Sequence, residues 1–260
     1  MIGAIESLGA WCNRHIRAFG LGFRFFVAML SKVPSALRRR RLIRDQIHFI
    51  GNYSLLIILV SGLFIGFVLG LQGYHTLSTY GSEESLGLLV AVSLVRELGP
   101  VMTALLYAGR AGTSLTAEIG LMRAGEQISA MEMMAVDPMA RVVAPRFVAG
   151  VIAMPILALL FSTVGILGGY FVGVRLIGVD SGAFWSQIQG GLTLFRDIGN
   201  GMVKSFVFGI AVTFIALYQG FQARPTPEGV ARATTRTVVS ASLTVLGLDF
   251  LLTALMFGGG

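Results

Sequence analysis

The stretch LLVAVSLVRELGPVMTALLYAGRAG, residues 88–112, is apolar enough for a membrane helix, yet its centre holds Arg96, Glu97, Gly99 and Pro100. A charge at the centre of a bilayer costs roughly 2.5–3.5 kcal/mol on insertion scales. Proline removes a backbone hydrogen bond and kinks a helix. Because broken helices persist in membranes where they line cavities or pack on protein, this stretch predicts a kinked helix beside a functional site.

The composition supports a membrane location for the whole chain of 260 residues. Apolar residues make up 55% of it and charged residues only 13%, about half the share that soluble domains carry. Two stretches, 46–82 and 147–174, contain no Asp, Glu, Lys or Arg, and each exceeds the roughly 20 residues that a spanning helix needs. They lack the short alternating pattern of barrel strands. We therefore predict an all-α integral membrane protein with a single domain, residues 1–260.

The apolar stretches define five predicted transmembrane helices, at residues 47–71, 86–109, 147–174, 198–222 and 237–257. Residues 1–45 are different because they mix aromatic residues such as Trp11 and Phe23 with arginines such as Arg14 and Arg24. A basic, aromatic-rich pattern is typical of an amphipathic helix that lies in the membrane interface. Residues 1–45 are therefore predicted to form an interfacial helix and a basic segment.

The distribution of lysine and arginine predicts the orientation. If the N-terminus is cytoplasmic, sixteen of these residues lie in cytoplasmic segments, whereas only Arg175 and Arg196 lie on the opposite side. Cytoplasmic loops are the ones enriched in Lys and Arg. The N-terminus is therefore predicted in the cytoplasm and the C-terminus on the other side of the membrane.

Glycines recur every four residues in the first predicted span, at Gly62, Gly66 and Gly70. Small residues at this spacing allow two membrane helices to approach closely. We predict a tightly packed helix–helix seam here, and the spacing leaves open whether the second helix belongs to the same chain or to a second copy.

Four charged residues lie inside predicted spans: Arg96, Glu97, Lys204 and Asp249. Left unrelieved, they would together cost on the order of 10 kcal/mol. Neighbours on a helix point about 100° apart, so Arg96 and Glu97 cannot face one another. Two interpretations stay open, and they can coexist: the charges pair between helices, or they line a water-accessible cavity and contact a polar group of a substrate.

The segment TSLTAEIGLMRAGEQISAMEMMAVDP, residues 113–138, is more than a linker. It contains few turn residues before Asp137 and Pro138, which predicts helix, although Gly120 and Gly125 interrupt its period. Methionine-rich surfaces adapt readily to partners. The segment is thus a candidate docking helix, and a helix that simply lies along the bundle is the alternative.

Several catalytic signatures are missing from the sequence. It contains no G-x-x-x-x-G-K-[ST] motif for ATP, no H-E-x-x-H and no G-x-S-x-G. Its three histidines are scattered, and its one cysteine, Cys12, cannot form an intrachain disulfide. We predict no metal site and no catalytic residues.

Three stretches resemble the MlaE/YrbE-type ABC transporter permeases, in particular the proteobacterial members. They are LVRELGPVMTALLYAGRAGTSLTAEIGLMRAGEQISAMEMMAVDPMARVVAPR (94–146), GLQGY (70–74) and RATTRTVVSASLTVLGLDFLLTALMF (232–257). The resemblance implies a permease subunit, not an enzyme, of an ATP-driven transporter. Such transporters move glycerophospholipids between the inner and outer membranes of Gram-negative bacteria and maintain the lipid asymmetry of the outer membrane.

The resemblance also implies partners. The permease would form a homodimer in the inner membrane. It would bind a cytoplasmic MlaF-like ATPase, a MlaB-like STAS-domain protein through that ATPase, and a periplasmic MlaD-like hexamer of MCE domains. ATP and magnesium would bind to the ATPase, so this chain would need no cofactor of its own.

Two groups of residues gain a role from the resemblance. A lipid cavity between the two copies would be contacted by Leu69, Leu77, Tyr80, Glu97 and Leu98. Segment 113–138 would be the coupling helix on the ATPase, and its contact candidates are Glu118, Arg123, Glu126, Met131, Glu132 and Met133.

Two other classes of function are open to an integral membrane protein of this kind. An ion-coupled secondary transporter or channel could use Arg96, Glu97, Lys204 and Asp249, but five unequal helices do not support the inverted repeats common in such folds. A membrane-embedded lipid enzyme would need a catalytic constellation that the sequence does not contain.

Overall fold

The computed structural model describes the backbone of residues 2–257 and the side chains of residue 17, residues 20–193 and residues 195–256. Within this part of the chain every regular element is helical. The helices are α1 (Ile2–Leu37), α2 (Arg40–Ser78), α3 (Glu83–Ala124), α4 (Gln127–Met133), α5 (Met139–Leu176), α6 (Ser181–Gly191), α7 (Phe195–Gln222) and α8 (Pro227–Phe257).

Five of these helices, α2, α3, α5, α7 and α8, are long and apolar enough to cross a membrane. The all-α class and the number of spans predicted from the sequence are confirmed. The helices extend beyond the predicted spans, since α2 begins at Arg40 and α8 at Pro227. The apolar pattern delimits the segment that fits the hydrocarbon core, whereas a helix continues as long as its backbone hydrogen bonds do.

The first 45 residues divide between two helices. The chain leaves helix α1 after Leu37 and enters α2 at Arg40, so the arginines of the basic segment lie at this junction and in the first turns of α2. The buried side of α1 includes Phe25 and Met29, and the ring of Phe25 lies 5.3–6.3 Å from three aromatic rings of α7. The side chains of Trp11 and Arg14 lie outside the described residues.

The three glycines of α2 pack against α5 in the same chain. A methyl group on Gly62 would lie 2.8 Å from the backbone oxygen of Phe161, and one on Gly66 would overlap the backbone of Gly165. Gly70 faces Gly169 in the same way. Each contact joins residues 99 positions apart, so the two helices run parallel, as a first and a third span must. The close approach is therefore an intramolecular seam.

Helix α3 continues through Pro100 by widening its preceding turn. Residues Leu94–Leu98 form a π-helical turn in which the N–H of Gly99 donates to the carbonyl of Leu94. The hydroxyl of Ser162 on α5 donates to the same carbonyl at 3.2 Å. A wide turn accommodates a proline that has no N–H of its own, and such turns are frequent at functional sites. Arg96 and Glu97 both lie within this turn.

The segment between α5 and α7 is partly helical, since it contains α6. Asp180 caps the N-terminus of α6, where its carboxylate accepts the N–H of Ala183 at 2.7 Å. Phe184 is fully buried, and its ring lies 5.5 Å from that of Tyr170. Trp185 is 39% exposed, so Trp185 can reach an interface whereas Phe184 belongs to the core.

Candidate functional site

Lys204 is the centre of an ion cluster between α3, α7 and α8. Its ammonium lies 2.5 Å from Glu97 Oε2 on α3 and 3.1 Å from Asp249 Oδ1 on α8, and it donates to Thr253 Oγ1 at 2.7 Å. The Lys204 side chain belongs to a mainly apolar helix and has no exposed surface. A buried ammonium is stable only when paired and hydrogen-bonded, and three contacts supply this.

Arg96 takes a different partner. Its Nε and one terminal nitrogen contact Asp197 Oδ1 on α7 at 2.8 and 2.7 Å. Asp197 is fully buried, and its second oxygen accepts the N–H of Thr193 at 2.7 Å. The neighbours Arg96 and Glu97 therefore form separate ion pairs with α7. These contacts attach the wide turn of α3 to α7 and α8.

The cluster lies well inside the ends of α7 and α8 that are nearest to it. Lys204 is nine residues from the start of α7, and Asp249 is seven residues from the end of the apolar part of α8 at Met256. At 1.5 Å per residue both are about 10–14 Å inside their helices. This depth is within the hydrocarbon region of a bilayer whose apolar core is about 30 Å thick.

An apolar cavity of about 160 Å³ lies beside the wide turn of α3, where it is lined by Val95, Pro100, Ser162 and Met202 among others. Ligand pockets usually measure about 300–1,000 Å³, so this cavity is too small for a whole phospholipid. None of the predicted lipid contacts is among its lining residues.

The five predicted lipid contacts differ in exposure. Leu69, Leu77 and Leu98 pack partly buried against the main apolar core, whereas Tyr80 is 79% exposed at the end of α2. Glu97 belongs to the ion cluster and keeps 37% of its side chain exposed. Tyr80 and Glu97 are therefore accessible from outside one copy of the chain.

Segment 113–138 forms two helices instead of one. Helix α3 ends at Ala124, the chain turns at Gly125 and Glu126, and α4 follows. Glu126 has a φ of 57°, a left-handed conformation that interrupts an α-helix. The predicted single coupling helix is therefore the last turns of α3 followed by the short helix α4.

The predicted coupling residues fall into two sets. Glu118 contacts Arg146 at 3.1 Å, Arg123 donates to the carbonyl of Phe221, and Met131 packs on a core cluster; these contacts are internal to the chain. Glu126, Glu132 and Met133 are exposed, and Met133 is exposed by 82%. The exposed set is available to a partner.

Asp137 connects the segment after α4 to α1. Its carboxylate lies 2.8 Å from the ammonium of Lys32. The hydrogen bond from Lys32 lowers the pKa of Asp137 from its ordinary value, against the opposing effect of partial burial, and the N–H of Met139 assists. The Asp137 carboxylate therefore keeps its negative charge at neutral pH.

Comparison with known proteins places the chain in a family. A family model described as Permease MlaE matches residues 43–255. The chain belongs to the MlaE permease family. The intermembrane phospholipid transport system permease protein MlaE of Haemophilus influenzae is 58% identical, with 100% of both chains covered.

Two relatives of lower identity are also similar along nearly their whole length. A probable ABC transporter permease protein of Rickettsia typhi is 38% identical, with 99% of each chain covered. A probable ABC transporter permease protein of Synechocystis is 34% identical over 99% of this chain and 96% of the relative.

Two residues that complete these ion contacts, Asp197 and Thr253, are not among the predicted site residues. The predicted fourth span begins at residue 198, which leaves Asp197 outside it. The spacing does indicate a role for Asp197, since Asp197 and Lys204 are seven residues apart and share a helix face. Thr253 lies four residues after Asp249, which also places the two on one face.

Proposed function

We propose that this chain is the transmembrane permease subunit of an ATP-driven transporter that moves glycerophospholipids between the inner and outer membranes. Its activity would maintain the lipid asymmetry of the outer membrane. The observation that carries the proposal is full-length identity of 58% to the phospholipid transport permease of Haemophilus influenzae. Family membership favours this function over an ion-coupled transporter or channel.

The proposed lipid cavity forms between two copies of the chain. Helix α2 has a largely exposed apolar face that includes Leu56, Phe64 and Val68, and a large exposed apolar surface needs lipid or protein to cover it. A phospholipid needs an apolar cavity with few polar groups. Tyr80 and Glu97, both partly or largely exposed, would supply polar groups to that cavity.

The energy would come from a partner, because the sequence has no P-loop. A cytoplasmic MlaF-like ATPase would bind ATP and magnesium and dock on the exposed residues of α4. A MlaB-like STAS-domain protein would bind that ATPase, and a MlaD-like hexamer of MCE domains would cover the periplasmic side. ATP hydrolysis can drive transport only if the permease states differ in their affinity for lipid.

The proposed location is the inner membrane, with the N-terminus in the cytoplasm and the C-terminus in the periplasm. The excess of sixteen Lys and Arg residues over two supports this orientation.

Purification of the full chain from membranes tests the function. The eluate should contain an ATPase subunit, and mass spectrometry of its lipid extract should find glycerophospholipid bound to the complex. Reconstitution with a periplasmic acceptor should give ATP-dependent lipid transfer. A complex that carries neither an ATPase nor phospholipid would refute the proposal.

A further inference from the structure

The ion cluster around Lys204 has used all its hydrogen-bond donors. An ammonium has three N–H groups, and Lys204 directs them to Glu97, Asp249 and Thr253. The Thr253 hydroxyl accepts from Lys204 and donates to Glu97 Oε2 at 3.3 Å. Lys204 therefore has no donor left for a phosphate or other anion that arrives from outside.

The carboxylates have acceptor capacity left over. An ionised carboxylate offers about four acceptor positions. The contacts within the cluster occupy two on Glu97, from Lys204 and Thr253, and one on Asp249, from Lys204. A ligand that approaches the cluster would therefore find free hydrogen-bond acceptors on Glu97 and Asp249.

The charge of the cluster is unbalanced as well. Glu97 and Asp249 contribute two negative charges and Lys204 one positive charge, while Arg96 and Asp197 balance each other. The sum is one negative charge among apolar helices, which is costly within a bilayer. A ligand that brings one positive charge would relieve that cost.

Exposure shows which side of the cluster a ligand can reach. The Lys204 side chain has 0% of its surface exposed, whereas Glu97 keeps 37% and Asp249 22%. Leu246, nearly one helical turn before Asp249, is 51% exposed. The accessible surface thus combines two carboxylates with an adjoining apolar side chain, which fits a cationic group attached to an apolar body.

We propose that Glu97 and Asp249 bind the primary ammonium of an aminophospholipid, and so make the permease selective for ethanolamine headgroups. This inference rests on the proposed phospholipid transport and names the lipid class. An ethanolamine ammonium places a positive charge and N–H donors beside the two carboxylates, while the lipid as a whole stays neutral because its phosphate carries one negative charge. A choline headgroup has the charge but no N–H, and a glycerol headgroup leaves the lipid with a net negative charge that the cluster repels.

The test measures which lipids the complex selects. The full chain with its co-purifying subunits is reconstituted in nanodiscs of equimolar phosphatidylethanolamine, phosphatidylcholine and phosphatidylglycerol with identical acyl chains. The complex is then extracted, and its retained lipids are quantified by mass spectrometry. Wild type should retain ethanolamine lipid about tenfold over glycerol lipid, which equals ~1.4 kcal/mol. Choline lipid should fall between them, and N-methylated ethanolamine lipids should grade between ethanolamine and choline.

Matched variants locate the selectivity. Glu97→Gln and Asp249→Asn keep the side-chain shape and the acceptor for Lys204 but remove the excess charge, so each should abolish the headgroup preference. Glu228→Gln, at an exposed acid near the start of α8, should retain it. The wild-type headgroup series needs no variant and stays decisive if Glu97→Gln fails to assemble.

The possible outcomes separate the two proposals. Phospholipid retained without headgroup preference overturns the ammonium site and leaves lipid transport intact. A preference that survives in either Glu97→Gln or Asp249→Asn also overturns the site. Absence of retained phospholipid overturns the proposed function itself.

Discussion

At the scale of single residues, Lys204 determines whether acidic side chains can remain inside the membrane. The ammonium contacts Glu97 and Asp249 at 2.5 and 3.1 Å, and its side chain is completely buried. Replacing a whole buried ion cluster by apolar residues often leaves protein stability unchanged. Removing one member is destabilising, because it leaves the other charges buried without a partner. The question raised by the sequence, why charges occupy a membrane helix, therefore has a structural answer at Lys204 before any ligand is considered.

Lys204→Met should destabilise the protein severely, because it leaves two carboxylates in apolar surroundings without a cation. We expect the free energy of unfolding to fall by about 3–5 kcal/mol, measured by denaturant titration in detergent. Lys32→Met is the matched control, since Lys32 pairs with Asp137 at a partly exposed site and should cost less than about 1 kcal/mol. The triple variant Lys204→Met, Glu97→Gln, Asp249→Asn should recover most of the loss. Equal effects of the two lysine substitutions would contradict the central role of Lys204.

At the scale of helices, the close parallel contact of α2 with α5 depends on glycines, which have no side chain to separate the two backbones. Gly62, Gly66 and Gly70 each face the α5 backbone at a constant separation along the sequence. Backbones that approach this closely gain dispersion contacts along the whole seam. The most crowded position is Gly66, where an added methyl group has no space against Gly165.

Gly66→Ala should therefore separate the two helices and lower stability by about 1–3 kcal/mol, the usual effect of overpacking. Gly51→Ala in the same helix is the control. Nothing lies within 4 Å of the methyl group it would add, so it should be neutral or stabilise by up to about 1 kcal/mol through helix propensity. Thermal unfolding of both variants in one detergent measures the difference. If Gly66→Ala is as stable as Gly51→Ala, the seam is looser than the structure indicates.

The helices also show what a sequence can predict about this fold. Long apolar stretches, two of them without any charge, were sufficient to predict five spans, because transfer of apolar surface dominates their energetics. Asp197 was missed because a charge near the end of a span resembles a loop residue until its partner, Arg96, is known. The helix is interrupted at Glu126, whose backbone has a left-handed conformation. A glutamate in the sequence does not predict that conformation. Contacts and single φ angles depend on tertiary structure, and periodicity alone does not contain them.

At the scale of the whole molecule, α3 connects the ion cluster around Lys204 with the turn that leads into α4. Glu97 and Ala124 are 27 residues apart in one continuous run of helical turns, a distance of about 40 Å at 1.5 Å per residue. Glu118 attaches this helix to Arg146 of α5 at 3.1 Å. A displacement of α4 would therefore be transmitted to α3 and α5 together, and through Glu97 to Lys204.

Docking of the proposed ATPase on α4 should therefore depend on exposed residues and not on Glu118, which already has an internal partner. Glu132→Lys should weaken the association about tenfold, ~1.4 kcal/mol, because it reverses a charge at the exposed end of α4 beside Met133. Biolayer interferometry between the reconstituted permease and the separately purified ATPase measures this.

Glu84→Lys is the control, because Glu84 is also exposed but precedes the membrane part of α3, at the opposite end. Glu118→Gln should leave the affinity unchanged and lower thermal stability instead. Unaltered binding of Glu132→Lys, or equal weakening by Glu84→Lys, would place the ATPase elsewhere on the permease.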